Sequence, residues 1–205
     1  MIRSEWVKRN ELVILQGERP KWVYFLKEGL IRIETTSERG KIIPIDILYP
    51  GEIFGSLEVN PESESVIQAV CLTDSLICRM SSDQFSKVME MHPEIVFKVH
   101  KILSLRIRRI EMAIQDLIFL DVPSRLAKLL YRLASSYGDK HPLGMRIRIR
   151  LTHQDVANLI GATREMVSLA IGRLQKENLL IQDKRHFLIP DLNLLKKRFT
   201  STVNL

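Results

Sequence analysis

In the stretch 151–180, LTHQDVANLIGATREMVSLAIGRLQKENLL, the residues Arg164, Glu165 and Ser168 are spaced to stand on one side of a helix. An arginine can bridge guanine O6 and N7, and a glutamate can accept from cytosine N4, so Arg164 and Glu165 have direct partners on the edge of a G·C pair. Val167, Ile171 and Leu174 follow one another at steps of four and three and predict the buried face of that helix. Arg164, Glu165, Ser168 and Gly172 are left on the opposite side. Thr163 is placed to cap the helix, its hydroxyl accepting from an open backbone N–H. Gly161, before it, ends a shorter helix marked by Val156 and Leu159, at a tight turn that needs a residue tolerant of positive φ. A helical pair with polar side chains at the start of its second member is the requirement for reading the DNA major groove. An ordinary helical hairpin with a solvated charged face would show the same pattern.

Charge weighs between the two. Residues 121–205 hold 15 Lys and Arg against 7 Asp and Glu, a net charge of +8, whereas residues 1–120 hold 16 against 17. All the excess positive charge of the chain sits in the half with the helical pair, as neutralisation of backbone phosphates requires. Part of it, Arg146, Arg148 and Arg150 alternating with Ile147 and Ile149, reads as a strand with one basic face, either a solvated edge or a phosphate contact.

The elements that must carry this interface change character along the chain. From 12 to 80 the sequence is strand-like: Val23 to Leu26, then Leu30 to Glu34, then Ile42 to Leu48, separated by turns at 27–29 and 37–40, with a further turn at 49–52. Val66 to Cys71 followed by Ser75 to Met80 predicts a hairpin around 72–74. Six or more short antiparallel strands imply a small barrel or roll. From Ser82 the period becomes helical, and Pro93 suits the first turn of a long helix running to about Leu120. Within it Val96, His100, Leu103, Ile107, Ile110, Ile114 and Leu117 recur every 3.5 residues, a seam that predicts an identical partner and hence a homodimer. Ile95, Val99 and Ile102 form a second apolar flank for packing on the strands. His100 in the seam reads as a packed core histidine rather than a metal or haem ligand. The segment 121–124, DVPS, interrupts the helix and marks a hinge.

With 205 residues, 45% of them hydrophobic, the chain is expected to form two domains. Two cysteines, Cys71 and Cys78, are too few for a disulfide framework and suggest a reducing cytoplasm; they read as buried strand residues, with a redox pair as the alternative. Neither an export signal nor an apolar run of membrane-spanning length is present, which predicts a soluble intracellular protein. No metal spacing, nucleophile–base pair or phosphate-binding glycine loop stands out, so neither an enzyme nor a cofactor is expected.

Taken together, VYFLKEGLIRI (23–33), PGEIFG (50–55), FLDVPSRLAKLL (119–130) and LTHQDVANLIGATREMVS (151–168) resemble the bacterial family of the cyclic-AMP receptor protein and the fumarate-nitrate reductase regulator. The resemblance implies an α+β chain with an N-terminal antiparallel β-roll of the cyclic-nucleotide-binding kind (1–92), a long dimerisation helix (93–120) and a C-terminal winged helix-turn-helix (121–205). It further implies a dimeric transcription regulator that binds an inverted repeat of double-stranded DNA and works with RNA polymerase. Arg164 and Glu165 match the residues with which family members read a G·C pair, with Ser168 beside them. Leu169 departs from the pattern, standing where many members carry arginine. Thr152, Gln154 and Thr163, with Lys184 and Arg185 in the turn after Leu180 and Ile181, are the candidates for positioning contacts to the DNA.

The cyclic-AMP pocket is where the resemblance weakens. Members that hold this ligand use a glutamate on the ribose after the cassette glycine and an arginine, then a small hydroxyl residue, on the phosphate. Here the matching positions carry Ser56 after Gly55, and Ser65 with Val66. Without that cation the anionic ligand loses charge-assisted bonds worth roughly 1.5 to 3 kcal/mol each, and Glu58 nearby only repels it. The N-terminal cysteine cluster of an iron–sulfur sensor is missing as well. The expected protein does not respond to cyclic AMP; the alternative is a regulator that needs an unidentified small-molecule or redox effector in the roll.

Overall fold

Short apolar runs ended by turn residues become eight strands in the N-terminal unit: β1 (Arg3–Val7), β2 (Leu12–Ile14), β3 (Trp22–Glu28), β4 (Ile31–Thr36), β5 (Ile42–Leu48), β6 (Ile53–Gly55), β7 (Gln68–Cys71) and β8 (Ser75–Ser81). Two helices follow, α1 (Ser82–Met91) and α2 (Pro93–Phe119). The computed structural model describes residues 3–38, 40, 42–57, 64–183 and 186–200. Its contacts divide it into units 1–111 and 112–205, so α2 begins in the first and ends in the second.

The eight strands form two antiparallel sheets, in the orders β1-β8-β3-β6 and β2-β7-β4-β5. Tyr24, Leu26, Ile31, Ile33, Leu48, Phe54, Cys71 and Ile77 meet between the sheets as one core, with Tyr24 stacked on Phe54 at 5.0 Å. The run Val23 to Leu26 is continuous rather than alternating because both faces of β3 are covered. Its other face carries Val23 and Phe25, which pack with Ile53, Met80 and Phe85 and receive Val99 and Ile102 from the start of α2. Those two are members of the second apolar flank read from the sequence.

The expected hairpin around 72–74 does not form: β7 pairs with β2 and β4, whereas β8 pairs with β1 and β3 in the other sheet. The turn is instead a corner between sheets. It locks against a second corner between β3 and β4, where the Leu72 N–H donates to the Leu30 carbonyl at 2.8 Å and the Leu30 N–H donates to Thr73 Oγ1 at 2.9 Å. Gly29 sits at this crossing with φ +90°, and a Cβ there would collide with the backbone of Asp74 and Ser75. Only glycine lets the two corners pass so closely.

The second unit contains α3 (Val122–Tyr137), β9 (Gly138–His141), β10 (Gly144–Ile147), α4 (His153–Ile160), α5 (Arg164–Lys176), β11 (Ile181–Asp183), β12 (His186–Ile189) and α6 (Leu192–Thr200). Asp121 caps α3 by accepting from the Ser124 N–H at 2.9 Å, so the interruption read at 121–124 is a helix start with proline in the first turn. Leu126, Leu130 and Leu133 of α3 are fully buried, and the four strands β11-β12-β10-β9 form a small sheet. Helix α6, which periodicity had not revealed, sets Phe199 edge-on to Tyr131 of α3 at 5.7 Å.

Helix α2 contributes no fully buried residue along its whole length. Of the seven seam residues, Val96, His100, Ile107, Ile114 and Leu117 are exposed and Leu103 and Ile110 are half-buried. No helix among the described residues is long and apolar enough to cross a membrane.

Candidate nucleic-acid interface

The helical pair is built by two matching caps and one glycine. Thr152 starts α4 through a reciprocal box: its hydroxyl oxygen accepts from the Asp155 N–H at 3.0 Å, and the Asp155 carboxylate accepts from the Thr152 N–H at 2.9 Å. The helix ends at Gly161 in the left-handed conformation, φ 61° and ψ 49°. Thr163 then caps α5, accepting from the Met166 N–H at 3.2 Å. Val167, Ile171 and Leu174 point into the core as the spacing requires. On α4 the buried residues are Val156, Ala157 and Ile160, and Leu159 is only half-buried. The face is therefore rotated by one residue from the one marked by Val156 and Leu159, because a four-residue step from Val156 reaches Ile160.

Arg164, Glu165, Ser168 and Leu169 all lie exposed on the side of α5 away from this core. The Glu165 carboxyl is held below its usual range, first by its own backbone N–H and then by the Thr163 hydroxyl. An ionised carboxylate at the first turn of a helix also faces the favourable end of the helix dipole. Glu165 is thus kept as an acceptor, the state that cytosine N4 requires.

Ser168 is engaged within the protein: its hydroxyl donates to the Arg164 carbonyl at 3.0 Å and lies 2.9 Å from His153 Nδ1. His153 went unnoticed in the sequence, since nothing in the spacing of LTHQD places it against the second helix. Gln154 bonds its neighbour Asn158 at 2.8 Å, and the Thr152 hydroxyl also donates to Asp155 at 2.8 Å, so both sit inside α4's own network. Lys184 and Arg185 lie outside the described residues. Arg146 and Arg148 flank Asp139 at 3.6 and 3.4 Å, exposed pairs that hold the guanidinium groups weakly. At its other end α5 is pinned: Glu177 accepts from Arg173 and Arg198 at 3.1 Å each, and Arg198 also reaches Asp121 at 3.5 Å.

In the roll, Gly55 (φ +97°) presses against Trp22 and Tyr24, and Ser56, itself buried, donates its N–H to the Trp22 carbonyl at 3.0 Å. Ser65 exchanges backbone bonds with Gly17 and Glu18, and its hydroxyl donates to the Ile67 carbonyl at 2.8 Å; Val66 is exposed. A cavity of about 470 Å³ beside β3 is lined by Val13, Ile14, Glu18, Arg19, Pro20, Lys21, Trp22 and Tyr24, and by none of these four residues. Glu58 lies outside the described residues.

A charge cluster that the sequence did not announce joins β5 to α2. Arg109 grips Glu52 with both terminal nitrogens, at 2.6 and 2.8 Å, and reaches Asp46 at 3.0 Å; Arg106 adds a contact to Asp46 at 3.3 Å. Burial works to lower the Arg109 pKa, but the bonds from the two carboxylates outweigh it and raise it. Its sequence signal was an arginine i, i+3 pair on an apolar helix, indistinguishable from a solvated face.

Cys71 and Cys78 are both unpaired and buried, on strands of different sheets. Burial raises the Cys71 thiol to about 11, which keeps it protonated and unreactive. Among the described residues, no cluster of side chains could hold a metal.

Comparison with known proteins agrees with this geometry. Residues 4–92 match the cyclic nucleotide-binding domain family, and residues 124–198 match the Crp-like helix-turn-helix domain family. The chain is 29% identical over 198 residues to the global nitrogen regulator of Synechocystis sp., covering 96% of this chain and 88% of that protein. It is 28% identical over 190 residues to a CRP-like cAMP-activated global transcriptional regulator of Mycobacterium tuberculosis, covering 93% of this chain and 85% of the relative. A solved CRP-family transcriptional regulator from Thermus thermophilus superposes with a TM-score of 0.82 at 23% identity, over 98% of each chain.

Proposed function

Because the chain belongs to the CRP/FNR family of bacterial DNA-binding transcription regulators, we propose that it acts as a homodimer on an inverted repeat, without cyclic AMP. The observation that carries this reading is the capped helix α5, which presents Arg164 and Glu165 on its first turn, clear of the core and in a domain of net charge +8. Arg164, Glu165 and Ser168 read base edges, while Thr152, Gln154, Thr163, Lys184 and Arg185 position the domain on the phosphates. Residues 1–92 form the sensor, 93–120 the dimerisation helix and 121–205 the DNA-binding part. The unburied seam of α2 supports pairing with an identical helix, and two-fold pairing places half-sites about one helical turn apart. The protein works in the cytoplasm, beside RNA polymerase.

Independence from cyclic AMP is supported by the roll. Ser65 and Val66 offer no cation to a cyclic phosphate, and the guanidinium groups of Arg106 and Arg109 already hold the carboxylates of Asp46 and Glu52.

Selection of bound fragments from a random DNA pool, using purified protein with and without cyclic AMP, tests the whole reading. The expected result is one palindromic site recovered equally well in both arms. Recovery of no preferred sequence without additive, or of one only with cyclic AMP, overturns it.

A further inference from the structure

Two features of the exposed side of α5 have no explanation inside the chain. Leu169 is 76% exposed, one of the most exposed large apolar residues of the molecule, on the helix turn directly after Glu165. A single exposed leucine is ordinary. Gly172, three residues further along the same face, is not: glycine within a helix is clearly less favourable than alanine. Here its φ is not positive, and a Cβ added to it would meet nothing within 4 Å. Neither backbone conformation nor packing within the chain calls for glycine, so the open space in front of it serves something outside the chain. The face is continuous with Arg164 and Glu165, and its domain carries the net charge of +8 that suits a polyanion.

We infer that Leu169 is a specificity-determining residue that recognises the C5-methyl group of a thymine in the major groove, with Gly172 leaving room for the groove wall to approach the helix. The inference rests on the DNA-reading face proposed above. Thymine's methyl is the one apolar group among the base edges of that groove, so a leucine has no other base feature to favour. Opposite guanine or cytosine it would leave polar edges without partners, which discriminates against them. Four residues of helix advance about 6 Å, and base pairs are stacked about 3.4 Å apart. The thymine therefore lies within about two pairs of the one read by Glu165.

The experiment uses the full-length protein and the palindromic site recovered by selection, with each thymine replaced in turn by deoxyuridine, which removes only the methyl. At one thymine per half-site the replacement should weaken binding about fourfold, the factor for one buried methyl-sized group. Leu169→Ala, which removes the contact at both half-sites, should weaken binding to the unmodified site by about the square of that factor and lose all sensitivity to deoxyuridine. Gly172→Ala should melt at a higher temperature yet bind the site less tightly, a combination that a folding defect cannot produce. If Glu165→Ala alters base preference while deoxyuridine has no effect at any position, the thymine contact is wrong and the DNA-reading face stands. If no site is selected at all, the face itself is wrong and the inference falls with it.

Discussion

His153 Nδ1, in the first turn of α4, lies 2.9 Å from Ser168 Oγ in α5. Ser168 donates its one hydroxyl proton to the Arg164 carbonyl, so the bond to His153 takes its proton from the imidazole Nδ1. The two helices of the DNA-binding pair are thereby joined by a polar bond on their exposed side, and a proposed base-reading hydroxyl is held by its own protein before any DNA arrives.

A double-mutant cycle measures that bond. His153→Ala and Ser168→Ala should each lower stability slightly and couple by about 0.5–1 kcal/mol in denaturant unfolding. Against the selected site, His153→Ala should loosen base preference at the position nearest Ser168 while leaving non-specific affinity unchanged. A coupling of zero would remove His153 from the interface.

Arg109 should matter to stability more than any surface charge. Its side chain is 25% exposed and its partners Asp46 and Glu52 only 6% and 11%. Arg109→Met strands the Glu52 carboxylate and leaves Asp46 to Arg106 alone, and should destabilise the protein by about 3 kcal/mol. Adding Glu52→Gln to that variant should recover more than half of the loss, because the uncompensated charge is then gone. Urea unfolding of the three proteins decides it.

Cys71 makes stability sensitive to alkali. Its folded thiol is raised from the ordinary value of 9.0 to about 11, so the unfolded chain gives up the proton more readily. With a raised folded value, the contribution is whole below pH 9, declines as pH rises, and is fully lost above about pH 11. Thermal melts between pH 8 and about 11 should fall more steeply for the native protein than for Cys71→Ala. Equal slopes in the two proteins would mean that the thiol has no part in the decline.

The seam of α2 is tested by charge. Ile107 and Ile110, one exposed and one half-buried, should face their counterparts across a two-fold axis. Replacing both with glutamate sets like charges opposite one another and should give monomers in sedimentation that bind the palindromic site far more weakly. An unchanged dimer would move the interface elsewhere.

Much of the DNA-binding half was legible in the sequence because its determinants are local. A cap bonds an N–H two or three residues away, Gly161 needs only its own dihedrals, and Val167, Ile171 and Leu174 share a face by helical period alone. Strands β3, β4, β5, β7 and β8 were legible as apolar runs between turn residues, whereas β1, β2 and β6 were not read. What only the tertiary structure decided depends on residues far apart in the chain. Whether β7 and β8 pair with each other or cross between sheets turns on the interlocked corners at Gly29, Leu30, Leu72 and Thr73, and no short window contains both. The Arg109 cluster joins positions 57 and 63 residues apart, and the bond from His153 to Ser168 spans a turn whose geometry sets which side chains meet. Periodicity reports which face of an element is apolar; which charged groups meet once those faces are buried is set by the packing of the elements.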